Sequence, residues 1–155
     1  MSPEDGEQEN GTVYYSLTTG SCAHGYVHNR LLNLCYQLHH DKITYDDGLA
    51  DCTSRGEHFV VIDSEDKQDH MVKQITSSSA AMASSYFLDG SDAANEGQWV
   101  FHDGRPMTYF AWAIGNPTNV SSTKDYLLAS KLNNAFSWRD GKRAETKYYI
   151  CQKDL

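Results

Sequence analysis

The 155-residue chain is short of several things, and each shortage narrows what it can do. No apolar run approaches the ~20 residues that a membrane-crossing helix needs, so no such span is expected. No Cys-x-x-Cys pair occurs, which argues against a dithiol redox motif and a zinc ribbon. There is no Gly-x-Ser-x-Gly elbow, no phosphate-binding loop and no His-Glu-x-x-His helix. An enzyme is therefore not expected. Positive charge is scarce: 13 Lys and Arg stand against 21 Asp and Glu, a formal net charge of -8. Such a chain repels phosphate backbones, which makes nucleic acid a poor partner. No internal repeat is evident.

What is present fits one ordinary globular domain. Ten tyrosines favour strands and binding surfaces. The four cysteines are Cys22, Cys35, Cys52 and Cys151. An even count at wide spacing implies two disulfides and an oxidising compartment, with three pairings open on the residues alone. Disulfides would also remove the thiol from any Cys52/His58 nucleophile. Asn10-Gly11-Thr12 and Asn119-Val120-Ser121 are glycosylation sequons, whereas Asn116-Pro117-Thr118 is excluded by its proline. Together these features point to a secreted, extracellular glycoprotein. No signal peptide follows Met1, so the chain reads as a mature form with an added or retained start residue.

Residues 1–21 are polar and acidic (Glu4, Asp5, Glu7, Glu9) and read as a flexible tail before a domain over 22–155. Cys22–Tyr36 reads as a short hairpin. Thr44 caps a helix in which Tyr45, Leu49 and Cys52 share one face, and Arg55-Gly56 ends it. Phe59–Ile62 is an apolar strand. Ser64 caps a second helix, with acids in its first turn and a stripe of Met71, Val72 and Ile75. Thr76–Ser85 reads as a loop. Further strands are expected at Tyr86–Leu88, Gln98–Phe101 and Tyr148–Cys151. Residues 104–123 have little period, and a loop that long is usually functional.

In this order and spacing the pieces resemble the C-type lectin-like domain family. Cys35-Tyr36, Ala50-Asp51-Cys52, Gly56-Glu57-His58-Phe59, Asn95-Glu96-Gly97-Gln98-Trp99, Asp103-Gly104-Arg105-Pro106, Trp112-Ala113-Ile114-Gly115, Trp138-Arg139-Asp140 and Tyr149-Ile150-Cys151 carry the likeness over about residues 22–155. The resemblance implies an α+β fold: two helices, small antiparallel sheets and a long ligand-binding loop region. It implies Cys22–Cys35 and Cys52–Cys151 pairing and a cis Asn116–Pro117 bond. The family's other core disulfide is missing, with Tyr126 and Arg143 at its two positions; a stacking contact between them is expected instead. The family's Trp-Ile-Gly-Leu strand reads Phe87-Leu88-Asp89-Gly90.

In sugar-binding members of the family a calcium ion at the long loop holds two sugar hydroxyls. The resemblance places Asn116, Thr118, Lys124, Arg139 and Asp140 at its ligand positions. Only Asp140 keeps the family's residue. Lys and Arg donate and cannot accept, whereas calcium needs six to eight oxygens. The primary site is therefore read as degraded, with Lys124 and Arg139 substituting for the metal and Asn116, Thr118 and Asp140 as hydrogen-bonding groups. Asp92, Glu96 and Asp125 match an auxiliary calcium site that has lost other ligands at Asn119 and Lys124. No cofactor is required on this reading.

The expected function is recognition of glycans by an atypical, calcium-independent lectin site, in an innate-immune setting. The alternative is a protein-binding domain of the same fold without sugar affinity, which a glycan on Asn119 would favour. The acidic tail alone suggests a matrix or mineral role. Homo-oligomerisation stays open. The seven histidines, His39-His40 and His24 included, fit no zinc spacing. Trp99 and Trp112 are expected in the core and Trp138 nearer the loop.

Overall fold

Both helices start where a hydroxyl can cap them. The computed structural model describes residues 22–78, 85–118, 123–132 and 135–155. Thr44 Oγ1 accepts from the Asp47 N–H at 3.3 Å, and α1 runs over Tyr45–Ser54. Ser64 Oγ accepts from the Lys67 N–H at 3.3 Å and starts α2, Glu65–Ser77. Each helix carries two acids in its first turn, where the helix dipole favours negative charge. Gly56, at φ +73°, takes the left-handed conformation that lets the chain leave α1.

The described chain divides into two units. Residues through Cys35, with Asp154–Leu155, form the smaller one. It holds β1 (Val27–Asn29), the start of β2 (Leu34–Ile43) and the Cys22–Cys35 disulfide. Tyr36–Lys153 form the larger one. It contains the rest of β2, both helices, β3 (His58–Phe59), β4 (Ser85–Ser91), β5 (Tyr126–Leu132), β6 (Ala135–Gly141) and β7 (Lys147–Gln152). Its strands follow the order β2-β7-β4-β5-β6, and β3 pairs with β7. β4 and β7 are parallel; the other pairs of this unit are antiparallel. The α+β class expected from the sequence is the class observed. The strands join in one mixed sheet rather than separate small antiparallel ones, because β7 pairs on both sides.

The Cys52–Cys151 disulfide sits in the centre of the larger unit, buried among Phe59, Phe87, Leu128 and Tyr149. Tyr45 and Leu49 pack against this cluster from α1, so the helical face predicted for them is the face they use. Both implied disulfides are present. Where the missing bridge would lie, the Arg143 guanidinium carbon stands 5.8 Å from the centre of the Tyr126 ring.

Several local expectations shift. The apolar run Phe59–Ile62 is buried, but only His58–Phe59 is strand; Val60 still donates to Ile150 O at 2.9 Å. Gln98–Phe101 shrinks to one bridging residue, Val100, between Ser91 and Pro106. The helix continues through Ser77 and β4 begins at Ser85, so the loop expected from Thr76 is shorter at both ends. β5 and β6 were not visible in the sequence pattern, because their polar members Ser130, Lys131 and Ser137 interrupt the apolar run. In α2 the buried residues are Met71, Ile75 and Gln68, whereas Val72 is half-buried. The tail, and with it Asn10, lies outside the described residues.

Candidate functional site

The long loop is held to the sheet through tryptophans. Ala113 N–H donates to Trp138 O and Trp138 N–H donates to Ala111 O, both at 2.8 Å. This places Trp112 against Trp99, ring centres 5.1 Å apart, and against Trp138 at 6.1 Å. Trp138 is completely buried, Trp99 nearly so and Trp112 only in part. Trp99 is core as expected, whereas Trp112, also expected there, is only half-buried, and Trp138, expected nearer the loop, is fully buried on the inward side of β6 beneath it. The Asn116–Pro117 peptide is cis, as the resemblance implied.

β6 decides the fate of the expected ligand set. Phe136, Trp138 and Asp140 alternate onto its buried side, and Ser137 and Arg139 onto the other. Asp140 turns toward the loop. Its Oδ2 accepts from the Thr118 N–H at 3.0 Å and from the Thr118 hydroxyl at 2.8 Å. Arg139 leaves in the opposite sense. Its Nε donates to Ser130 Oγ at 2.8 Å, and Ser130 lies further along β5 from the Asp125 end. The structure therefore brings Thr118 and Asp140 together and separates Arg139 from them. Arg139, expected to substitute for the metal, thus lies on the other face of β6 from Asp140, because a strand's period of two puts neighbours on opposite faces. Lys124 and Asn116 are half-buried at the two ends of the loop's described part. Asn119 falls outside the described residues.

The auxiliary set converges at the root of the loop. Asp92, Glu96 and Asp125 each offer an oxygen within 4.8 Å of the others. A tight turn builds this arrangement. Asp92 Oδ2 accepts from the Gly97 N–H at 2.9 Å, and the Asp92 N–H donates to Asp125 O at 3.1 Å. Gly97 has φ +84°, which a side chain would strain. Desolvation, then the neighbouring Asp92 carboxylate and the charges of Asp125 and Asp140, push the Glu96 carboxyl above its ordinary range. Burial and the same Asp92 neighbour push the Asp125 carboxyl up as well. Asp92 Oδ1, Asp125 Oδ1 and Asp140 Oδ1 are buried and have no hydrogen-bond partner among the described residues. Buried anionic oxygens without donors are costly, and a cation removes the cost. The donor set is all oxygen, which suits a hard ion such as calcium.

One supporting contact escaped the sequence reading: the Trp138 indole Nε1–H donates to Gln68 Oε1 at 3.0 Å, in the interior. A polar residue in phase with Met71 and Ile75 on the apolar stripe of α2 was the signal for it.

A family model described as the lectin C-type domain matches residues 41–153. The chain belongs to the C-type lectin domain family. It is 29% identical over 121 residues to C-type lectin domain family 4 member E of Homo sapiens, covering 76% of this chain and 53% of that protein. The chain thus spans about half the length of that curated relative. It is 23% identical over 140 residues to the galactose-specific lectin nattectin of Thalassophryne nattereri, covering 88% of this chain and 83% of that one. Among solved structures, the C-type lectin domain of murine dendritic cell inhibitory receptor 2, in complex with N-glycan, superposes with a TM-score of 0.74 at 22% identity. That match covers 87% of this chain and 100% of the other. The family is one of lectins and receptors rather than enzymes. No helix among the described residues of this C-type lectin domain is long and apolar enough to cross a membrane.

Proposed function

We propose that this domain recognises glycans at the long loop by direct hydrogen bonds rather than through a sugar-bound calcium ion. The observation that carries the reading is the double hydrogen bond from Thr118 to Asp140 Oδ2. It holds the loop against β6 at the place where sugar-binding relatives use a metal. Asp140 is the only carboxylate among the five positions, and a calcium ion needs six to eight oxygens. Asn116, Thr118 and Lys124 supply donors and acceptors for sugar hydroxyls, and Arg139 supports the sheet behind them. The names of nattectin and of the N-glycan complex favour the same ligand class.

Asp92, Glu96 and Asp125 would hold one calcium ion on this reading, away from the sugar. The ion would neutralise the crowded carboxylates and brace the turn against Asp125. Calcium then raises the thermal midpoint by ligand linkage, and Glu96→Ala removes the rise. The wider setting we propose is extracellular: a secreted, innate-immune glycoprotein, with residues 1–21 as a tail on a domain over 22–155. The paired cysteines support it.

The test is a glycan array run with calcium and with chelator, on the parent chain and on Thr118→Val and Lys124→Ala. Binding that survives chelation and falls in both variants is the expected result. An array with no signal, or a signal that neither variant changes, overturns the reading. A protein ligand is the second reading. Fully exposed Ile114 and exposed Phe110 on the same loop favour it, since both are apolar and face solvent. Mass spectrometry that finds Asn119 glycosylated would strengthen this alternative.

A further inference from the structure

Arg55, Arg105 and Arg143 each hold a carboxylate, at 2.9, 2.7 and 2.8 Å. Arg139 holds none among the described residues, although the chain has 21 acids to 13 bases. It is half-buried, so water only partly screens its charge. What it holds instead is a serine: its Nε donates to Ser130 Oγ at 2.8 Å.

That serine belongs to a row across three strands. Ser85 on β4 and Ser137 on β6 are both direct register partners of Ser130 on β5. Opposed side chains on neighbouring antiparallel strands stand about 4.5–5.5 Å apart at Cβ. Ser137 and Arg139 share one side of β6, opposite to Trp138 and Asp140. Ser130 Oγ is 2.7 Å from Ser85 Oγ. With 2.8 and 2.7 Å in series, Arg139 Nε and Ser85 Oγ can be no more than about 5.5 Å apart.

Burial sets the direction of the protons. Ser130 is 3% exposed, and its oxygen already accepts from Arg139. Its own proton goes to Ser85 Oγ, since a hydroxyl left without an acceptor in the interior is costly. Ser85, half-buried, then accepts and turns its own proton outward. The groups left to face solvent are the terminal N–H groups of Arg139 and the hydroxyls of Ser85 and Ser137. All of them donate, and no carboxylate is bonded to any of them among the described residues.

We propose that Arg139, Ser137 and Ser85 bind one tetrahedral oxyanion, a sulfate or phosphate group, on the side of the sheet turned away from Thr118 and Asp140. Ser130 is the positioning residue that fixes the guanidinium. A guanidinium gives two parallel N–H bonds to two oxygens of such a group. The hydroxyls come from two other points of the sheet, so they reach a third oxygen out of that plane, which a flat carboxylate lacks. The net charge of -8 repels a long polyanion, so the site suits a single charged substituent. It goes beyond the glycan reading of the long loop and does not depend on it.

The test is titration of the disulfide-intact chain with sodium sulfate and with sodium phosphate, against sodium chloride of equal ionic strength. The readout is the Arg139 Nε–H resonance in nitrogen-15 NMR. A saturable shift with either oxyanion, absent with chloride, is the expected result. Binding followed at the Ser85 and Ser137 amides should be lost in Arg139→Gln. Ser137→Ala and Ser85→Ala should each weaken it by about tenfold or more. Lys142→Ala, which removes an exposed cation elsewhere, should leave it unchanged. A 6-sulfated and a 6-phosphorylated monosaccharide then distinguish the sources, and the ester that binds at least as well as its free ion names the group. The proposal is overturned if neither oxyanion shifts the resonance beyond chloride, or if binding is undiminished in the Ser85→Ala/Ser137→Ala pair. It is equally overturned if Lys142→Ala removes binding, or if both esters bind more than about tenfold worse than the free ions.

Discussion

The Trp138 indole N–H and the Gln68 amide oxygen meet at 3.0 Å inside the larger unit, tying the strand that carries Asp140 to the second helix. A donor this deep must be satisfied or its desolvation is lost. Gln68→Leu removes the acceptor at similar volume and should cost about 1–3 kcal/mol. Urea unfolding of the variant, with unchanged m, checks it.

The two disulfides should differ in worth because they close loops of different length. Their sequence separations are 13 and 99 residues. On the chain-entropy model these correspond to roughly 3 and roughly 4.7 kcal/mol. The Cys52→Ser/Cys151→Ser variant should therefore lose more stability than Cys22→Ser/Cys35→Ser. It should lose more again because it also opens the packed cluster of Phe59, Phe87 and Tyr149. Thermal unfolding of both pairs orders them.

Acid should weaken the fold through two histidines before the carboxylates titrate. Burial, helped by the Arg55 guanidinium, holds the His39 pKa below its ordinary 6.5. Burial, helped by Lys73, does the same for His70. Both therefore take up protons more readily in the unfolded chain. The stability they allow is present above about pH 6.5 and is lost as pH falls through their lower folded values. The thermal midpoint should drop between pH 7.5 and 5.5, and the drop should be smaller in His39→Gln and His70→Gln.

Gly141 follows Asp140 at the end of β6 and has no room for a side chain. A Cβ there would stand 2.5 Å from Leu128 Cδ1 and 3.1 Å from Glu145 Oε1. Leu128 is fully buried and cannot retreat. Gly141→Ala should cost about 1–3 kcal/mol by overpacking. It should also disturb the Thr118–Asp140 contact, so glycan binding falls together with stability. Differential scanning fluorimetry and the array measure the two effects on one sample.

Much of the framework was legible in the residues themselves. Thr44 and Ser64 announce their helices because a cap is a contact across three residues. The face of Tyr45, Leu49 and Cys52 is legible because helical periodicity is local. The four cysteines implied two bridges, and the family resemblance supplied the pairing. The motif order around Trp99, Pro117 and Trp138 placed the loop, and Thr118 and Asp140 do meet there.

Tertiary structure alone decided the rest. Arg139 and Asp140 look like one functional pair in the sequence, and pairing with β5 sends them to opposite faces. Gln68 reads as an interruption of an apolar stripe until Trp138 arrives from 70 residues away. His58, Asp89 and His102 are unrelated positions until three segments of one sheet and its turn bring them within 4.8 Å. The physical reason is the same in each case. Caps and periodicity act between residues a few positions apart, whereas strand register and the convergence of distant side chains depend on how the whole sheet closes.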